Sequence, residues 1–430
     1  MTASDVGYDC IHTWLKQILG PVHATVCSTL AWALLCLLLA QRVTPAALAR
    51  AMPTEHAGSG RACLRRVRRW WTGPPLDQAV VSPQLIQAAL ALLPSDQLVV
   101  VALDTTRLGP WEVWRAGIVV AGRTMPIGWA VMPYPWPKGQ FRPTTIALIQ
   151  QLQTAFSLQV RWTLVADRGF PSAVLFAQLR QGGTGFSVRL RLSDWVTVAG
   201  IYAMGAVHLD AGRLVVGQRT AAAIGRGQPP QPLVPGWVVV NAAVATPPKH
   251  KQNPGTARER AKRAKAQAQH RAHKHGRRTK PPSAAAQRYA QTWVLCTTAP
   301  TVVQAVTEYA QRMSIEETLR DWHSGWGVRA AVVELPTTAM VDRLIGVVCL
   351  TYSLQMHLGK RLSADPRGQQ RRRQWTVTDR VSWFWCGQRL FNDPGYDWRA
   401  WLAAQWAALR VPPAQVVPEL APIPILDEAA

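Results

Sequence analysis

The sequence predicts an α/β protein in which a mixed sheet is flanked by helices, with a basic, strand-containing insertion and all-helical regions at both ends. Three features lead to this prediction. Short runs rich in β-branched residues begin near residue 98, helical spacings separate them, and residues 249–280 lack large apolar residues. The hydrophobic content of 48% over 430 residues is ample for about two or three domains.

Residues 1–95 carry a helical pattern and are predicted to form an N-terminal DNA-binding domain. Apolar residues recur at helical spacing in residues 9–19, 27–41 and 83–93, with Pro and Gly between these segments. Residues 61–71 are strongly cationic and end in two Trp. This stretch fits a solvated helix face and a helix along a phosphate backbone equally well. Its candidate DNA contacts are Arg65, Arg66, Arg68 and Arg69.

Residues 96–192 read as the first part of an α/β core with the element order β-β-β-α-β-α-β. The runs at 98–103 and 162–166 are short, apolar and β-branched, which suits strands covered on both faces. Residues 113–121 and 124–132 read as a hairpin with a turn at Gly122-Arg123. Three antiparallel strands followed by parallel ones with crossover helices give the mixed sheet.

Residues 193–290 are predicted to be an insertion, with short strands at 213–217 and 236–244. Within it, residues 249–280 contain a single acid and cannot bury a core, so a disordered loop or a helix formed on DNA is expected. This segment should add sequence-independent affinity for DNA. Its candidate contacts are Lys262 and Arg263.

The core resumes over residues 291–330, where a strand leads to a long helix spanning about 302–323. Further helices are predicted at 340–360, 378–390 and 398–409, within a C-terminal helical region over residues 331–410. The tail, residues 411–430, is rich in Pro and acids and is expected to pack loosely.

The charge balance indicates a polyanionic partner. Lys and Arg total 48 against 24 Asp and Glu, a net charge of +24. Such an excess costs self-repulsion and is typical of nucleic-acid binding, which we favour over an anionic membrane. The seven Cys form no CxxC pair, which fits a reducing cytoplasm. The most apolar run, residues 27–40, is shorter than the ~20 residues of a membrane span, so a soluble cytoplasmic protein is expected.

Two aspartates follow the two apolar strands. Asp104 ends the strand at 98–103, within LDTT, and Asp167 ends the strand at 162–166, within ADRGF. If these strands are neighbours, their carboxylates converge at the rim of the sheet, where a cation such as Mg²⁺ would hold them together. Each Asp taken alone fits a turn-initiating residue equally well.

A third acid lies on the long helix, in a stripe of polar residues at three- and four-residue steps. That stripe comprises Tyr309, Arg312, Glu316, Arg320 and His323. In an isolated helix, Arg312 and Glu316 would be an ordinary surface ion pair. Glu317, on a neighbouring stripe, is the alternative carboxylate.

At these residues the chain resembles the insertion-sequence transposases of the DDE superfamily, cut-and-paste enzymes with a ribonuclease H-like catalytic core. Their glutamate helix carries a Tyr-Arg-Glu-Lys motif, whose first three members match Tyr309, Arg312 and Glu316. His323 stands where the family has Lys. The elements ADRGF and LDTT look like the family's other two motifs. The resemblance covers roughly residues 97–329.

This resemblance implies a site and a mechanism. Asp104, Asp167 and Glu316 would bind two Mg²⁺ or Mn²⁺ ions for hydrolysis and strand transfer. Tyr309 and Arg312 would contact phosphates at the cleaved end, and Arg320 would replace the charge lost at His323. Trp293 matches a family Trp that holds a terminal base, although a core-filling role fits it as well. Arg168 is a further candidate DNA contact.

The expected partner is double-stranded DNA, both transposon terminal repeats and target, bound by a homodimer at the bacterial nucleoid. Two alternatives use the same residues. A ribonuclease H-like nuclease would cut DNA without joining it, and a decayed, non-catalytic derivative would only bind DNA.

Overall fold

A computed structural model describes residues 3–19, 22–53, 58–73, 76–156, 160–224, 234–241, 293–375 and 382–405. The chain divides into two compact units. The first comprises Met1–Val188 with Thr307–Ala430, and the second comprises Arg189–Val306. Helices and a mixed sheet occur together in the first unit, so the α/β class predicted from the sequence is confirmed.

The N-terminal part of the first unit is helical in its described ranges. Its helices are α1 (Ala3–Leu19), α2 (Ala24–Ala40), α3 (Pro45–Arg50), α4 (Gly60–Thr72) and α5 (Gln78–Leu90). Helix α2 is apolar on all sides and is accordingly buried. Ser59 and Asp77 begin α4 and α5 by accepting backbone N–H groups of the first turn, as N-cap residues do.

The sheet of the first unit has five strands in the order β3-β2-β1-β4-β5. The strands are β1 (Val99–Leu108), β2 (Trp111–Val120), β3 (Arg123–Pro133), β4 (Trp162–Ala166) and β5 (Gly185–Arg189). The crossover helices are α6 (Phe141–Ala155) and α7 (Ala173–Gln181). Strands β1 to β3 are antiparallel, whereas β4 runs parallel to β1 and to β5. The element order predicted for this segment is confirmed.

The first hairpin strand is longer than the sequence predicted. The apolar run ends at Leu103, but β1 continues to Leu108 because residues 104–108 pair with β2. Asp104 therefore lies inside β1 rather than at its end. The β2–β3 turn also sits one residue earlier than predicted, since Ala121 and Gly122 both adopt positive φ, as a tight hairpin turn requires.

The second unit contains an antiparallel sheet in the order β10-β9-β8-β6-β7. Its elements are β6 (Trp195–Val198), β7 (Ile201–Met204), α8 (Gly205–Asp210), β8 (Arg219–Ile224), β9 (Val234–Asn241) and β10 (Trp293–Thr297). The strand predicted at 213–217 is wrong, because only Val216 makes a single bridge, to Val240. The basic segment 249–280 lies outside the described residues.

The chain re-enters the first unit through two short helices instead of one long one. They are α9 (Val302–Ala310) and α10 (Met313–Arg320), followed by a π-helical turn, Asp321–Gly325. At the junction the backbone N–H groups of Arg312, Ser314 and Ile315 bond to carbonyls three residues back, a tighter 3₁₀ pattern. The expected continuous helix over 302–323 is therefore interrupted at residues 311–312.

The rest of the described chain is helical, and its longest helix is buried. The helices are α11 (Val328–Val333), α12 (Thr338–Ala364), α13 (Pro366–Trp375), α14 (Trp383–Asn392) and α15 (Trp398–Gln405). By length and composition α12 is the one described helix that could cross a membrane, but 83% of its most apolar window is buried. It packs against α2, α14 and β3, as a core helix does. Helix α13 was not predicted, because its arginine-rich sequence has no apolar period.

Two glycines let α12 and α14 approach closely. A Cβ atom on Gly359 would overlap the carbonyl oxygen of Trp383, and one on Gly387 would overlap that of Gln355. Backbone atoms cannot move aside as a flexible side chain can, so each helix presents a bare face to the other. This crossing fixes α12 beneath the rest of the C-terminal region.

The crossing predicts a stability effect. Gly359→Ala should lower the free energy of unfolding by about 1–3 kcal/mol, because the added methyl group overpacks a contact between backbones. Urea unfolding monitored by circular dichroism measures the change. Gly60→Ala is the matched control, since nothing lies within 4 Å of a Cβ there. Equal stability of the Gly359→Ala protein and wild type would show that the helices can separate without cost.

Candidate active site

Two aspartates stand side by side at the rim of the first unit's sheet. The parallel pairing of β1 and β4 ends at Leu103 and Ala166, and the next residues along the chain are Asp104, within β1, and Asp167, directly after β4. Both strands run in the same direction, so their chains leave the pairing at the same edge. Topology therefore brings together two acids that are 63 positions apart in the sequence.

Helix α10 adds the third carboxylate. It packs over β1, β2 and β3, and Glu316 in its first turn bonds to the guanidinium of Arg312 at Nη2. The Nη1 atom of the same guanidinium lies 3.5 Å from Asp104 Oδ2. Tyr309 donates its hydroxyl to Asp167 Oδ1 at 3.3 Å. The structure thus brings together all five residues of the predicted core of the site.

Arg312 occupies the centre of this group. Its side chain is only 9% exposed, and its Nε atom has no hydrogen-bond partner among the described residues. A buried cation is stable only when opposite charges compensate its lost hydration. Asp104 and Glu316 supply that compensation, so the guanidinium acts as the counter-ion of the carboxylates.

The surroundings of Asp104 make its carboxyl group harder to ionise. Burial raises the pKa of its carboxyl group to about 6, above the ordinary value of 3.8. Arg312 and the backbone N–H of Thr105, which lies 2.8 Å from Oδ1, favour the charged form. The charges of Asp167 and Glu316 oppose it. Asp104 is therefore an acid held close to neutral pH by its environment.

The glutamate helix is anchored by polar contacts to the start of β3. Thr318 accepts the backbone N–H of Thr124 at 2.8 Å. In the following π-turn, Asp321 accepts Arg123 Nε at 2.8 Å and the Tyr352 hydroxyl at 3.0 Å. These contacts fix the rotation of α10 and so the direction of Glu316.

The alternative acid, Glu317, has different partners. Arg320 donates to Glu317 Oε1 at 2.6 Å, and Arg123 lies 4.0 Å from Oε2. Glu317 has no contact with the aspartates in this arrangement, and Glu316 is the helix acid that joins them through Arg312. Arg320 is 64% exposed and forms an ion pair with Glu317.

His323 lies on the π-turn and is directed at β1. Its Nε2 atom and Thr106 Oγ1 are 3.1 Å apart, which places the imidazole next to the LDTT motif. Burial lowers the pKa of His323, and the cations of Arg329 and Arg115 lower it further. A neutral imidazole bonded to a hydroxyl is a poor substitute for a Lys that contacts phosphate.

The three carboxylates could hold a divalent cation, but not as they now stand. Among the described residues no three His, Cys, Asp or Glu side chains are placed to bind a metal ion. The guanidinium of Arg312 instead contacts both Asp104 and Glu316. The chemistry of the donor set is suitable for a divalent ion, since carboxylate oxygens are the ligands that Mg²⁺ and Mn²⁺ prefer.

The predicted DNA contacts outside the carboxylate site differ in where they lie. Arg168 is exposed beside Asp167, and on α4 the side chains of Arg65, Arg68 and Arg69 are exposed while Arg66 is partly covered. The two Trp of α4 are buried core residues. Trp293 begins β10 in the second unit. Lys262 and Arg263 lie outside the described residues.

Some residues that shape the site gave no signal in the sequence. Arg115 is fully buried, pairs across β1–β2 with Asp104, and stacks 4.5 Å from the ring of Trp322. Its location became visible only through the strand register. Arg123 was predicted to form part of a turn, and it contacts Asp321 across 198 positions of the sequence.

The sequence was compared with protein-family models and with curated proteins. No protein-family model matches the chain, and no curated protein matches it. Function is therefore inferred from the site itself and from the motif resemblance around Glu316.

The pKa of Asp104 predicts how stability depends on pH. A carboxyl group whose pKa is raised by folding stabilises the protein below its unfolded value and loses that contribution as pH rises through the folded value. Asp104→Asn should therefore stabilise the protein at pH 8 by up to about 3 kcal/mol, since a tenfold change in proton affinity is about 1.4 kcal/mol. The gain should vanish below about pH 4.

Urea unfolding of the metal-free, DNA-free protein at several pH values measures this difference. The variant at low pH serves as its own control, because there both proteins carry a neutral group at position 104. A loss of stability at pH 8 would mean that attraction to Arg312 outweighs the cost of burying the charge.

Proposed function

We propose that the chain is a DDE transposase, which hydrolyses phosphodiester bonds at transposon ends and transfers the freed strands to target DNA. The observation that carries the proposal lies at the rim of a mixed sheet, where Asp104 and Glu316 both contact Arg312 and Asp167 accepts the Tyr309 hydroxyl. The raised pKa of the Asp104 carboxyl group supports the proposal as well, because groups with perturbed pKa values cluster at functional sites.

We further propose that the first unit contains a ribonuclease H-like core. Its strand order β3-β2-β1-β4-β5, with three antiparallel strands followed by two parallel ones, supports this assignment. So does the position of α10, which packs on β1 to β3 and carries the third acid. The second unit would then be the insertion between the second aspartate and the glutamate helix.

In the proposed reaction, Asp104, Asp167 and Glu316 would hold two Mg²⁺ or Mn²⁺ ions, which would supply activation of a water or 3′-hydroxyl and stabilisation of the leaving oxygen. Tyr309 and Arg312 bind the phosphates next to the scissile bond. Arg312 suits this task because its guanidinium can hold a phosphate with two parallel hydrogen bonds. Asp104 must lose its proton to act as a ligand, which its raised pKa still allows at neutral pH.

DNA binding in this proposal draws on the whole charge distribution. The net charge of +24 and the exposed arginines of α4 provide attraction to phosphates independent of base sequence. Recognition of the terminal repeats is assigned to the N-terminal helices, and a homodimer is expected to pair two ends. The bacterial nucleoid in the cytoplasm is the compartment that this activity requires.

The first test is cleavage and joining on DNA carrying the flanking ends of the protein's own gene, with Mg²⁺ or Mn²⁺. Asp104→Ala, Asp167→Ala and Glu316→Ala should each reduce the rate by about 10³-fold or more, since each removes a metal ligand. Glu317→Ala is the matched control and should retain activity, because Glu317 pairs with Arg320 instead.

Each other outcome has a definite meaning. Cleavage without joining would identify a nuclease, and tight binding without metal-dependent cleavage would identify a non-catalytic derivative. Loss of activity in Glu317→Ala with retention in Glu316→Ala would move the third ligand by one residue.

Arg312 generates a prediction about metal affinity that needs no DNA. Because the guanidinium and a divalent ion compete for the same carboxylates, Arg312→Gln should raise the Mn²⁺ affinity of the DNA-free protein by about tenfold, or about 1.4 kcal/mol. The same variant should lose cleavage, since the phosphate contact is gone. Isothermal titration calorimetry measures the affinity.

Arg320→Gln is the control for this measurement. It removes the same charge at the other end of α10, where Arg320 contacts Glu317 and not Asp104 or Glu316. Unchanged or weaker Mn²⁺ binding in Arg312→Gln would show that the guanidinium does not occupy the carboxylate site in solution.

A further inference from the structure

Helix α13 is a second concentration of arginines in the first unit. Its ten residues contain four Arg and no acid. Arg367 and Arg373 are exposed, and neither forms an ion pair with an acid in the described part of the chain. Arg371 is held in place by the Gly395 carbonyl at 2.6 Å and lies 4.0 Å from Asp393. The helix thus keeps at least two cations uncompensated.

A groove of about 540 Å³ lies between α13 and α15 and leaves Arg367 and Arg371 uncovered. Two acids, Asp365 and Asp397, also line it, and one oxygen of each accepts hydrogen bonds from neutral donors. Asp365 accepts the indole N–H of Trp401 at 3.0 Å, and Asp397 accepts two backbone N–H groups that begin α15. Of the two arginines that line the groove, Arg367 forms no ion pair with an acid among the described residues.

The neighbouring helices add cations to the same part of the chain. Arg389 in α14 and Arg399 in α15 are both exposed and lie over the rings of Trp385 and Trp398, at 4.9 and 4.7 Å. Cations resting on aromatic faces are held in position without being neutralised. The C-terminal helices therefore offer exposed arginines on α13, α14 and α15.

This surface is separate from the arginines of α4. Helix α4 meets α12 where Arg343 donates to the Trp70 carbonyl, whereas α13 meets α12 at Leu362, against which Gly368 packs. These positions are nineteen residues apart on α12, or about 28 Å at 1.5 Å per residue. No single phosphate can contact both helices.

A solvated charged face is the simpler explanation of such a helix, but it leaves the charge pattern without a reason. Arg367 and Arg371 are four positions apart, and Arg371 to Arg373 are consecutive, so like charges repel within one short helix. In a protein of net charge +24, that repulsion adds to the repulsion of the whole. A polyanion would relieve it, and its regular phosphates match several exposed cations at once.

We propose that α13, with the exposed arginines beside it, is a second DNA-binding surface that contacts the phosphate backbone without reading base sequence. It shares with the proposed function only the premise that DNA is the partner. It binds duplex DNA outside the carboxylate site, so it contributes to the affinity for DNA and not to the chemical step.

The test is the salt dependence of DNA binding by the full-length protein in EDTA, measured by fluorescence anisotropy. Arg367→Gln with Arg373→Gln should flatten the slope of log K against log salt by about 1.8 on a duplex of about 30 base pairs, since each phosphate contact contributes about 0.9. The loss should be equal on a terminal-repeat duplex and on a random one. Circular dichroism should show unchanged folding.

Arg161→Gln with Arg180→Gln is the matched control, because it removes the same charge at the sheet edge opposite Asp167. If its slope flattens as much as that of the α13 variant, the effect is one of net charge and the proposal fails. The proposal also fails if the α13 variant keeps the wild-type slope, or if it loses affinity for the terminal-repeat duplex alone.

The two proposals can fail independently in these experiments. Binding that depends on α13 in a protein without metal-dependent cleavage would sustain this surface and reject the transposase. Cleavage and joining by a protein whose α13 variant binds DNA like wild type would reject the surface and sustain the transposase.

Discussion

The ionic contact between Arg312 and the rim carboxylates is the constraint on which the site depends. Parallel pairing of β1 with β4 places Asp104 and Asp167 on adjacent strands, and α10 adds Glu316. Three such charges near one another, partly out of water, repel unless a cation compensates them. Without metal or DNA, the protein supplies that cation itself from the helix that brings the third acid. The anchoring of α10 to β3 is therefore what allows the sheet rim to stay charged.

Most of the fold that positions the site follows from local pattern, and the exceptions have physical reasons. Strand β4 was predicted with its observed bounds, because both of its faces are covered and its sequence is uniformly apolar. The extension of β1 past Asp104 depends on pairing with β2, which a reading of residues 104–108 alone does not reveal. The break at residues 311–312 results from 3₁₀ tightening within a sequence that still has helical spacing.

In the candidate site, too, the local features could be predicted from the sequence and the long-range contacts could not. The carboxylates and the Tyr309-Arg312-Glu316 spacing could be predicted, because motif and strand ends are local features. Their connections could not, since Arg312 reaches Asp104 across 208 positions and His323 reaches Thr106 across 217. An Arg and a Glu four residues apart look the same on any exposed helix, and only tertiary packing separates a surface pair from a counter-ion.

Arg312 also links the two ligands that the proposed function requires. If a phosphate draws its guanidinium away, the carboxylates lose their counter-ion and gain affinity for divalent metal. Linkage is reciprocal, so metal bound at the carboxylates must strengthen the binding of that phosphate by the same factor. The raised pKa of Asp104 points in the same direction, because a carboxyl group that is costly to ionise gains most from a nearby dication. In the proposed function, a site built in this way would bind metal weakly until DNA is in place, and its carboxylates would be assembled for cleavage only beside a substrate phosphate.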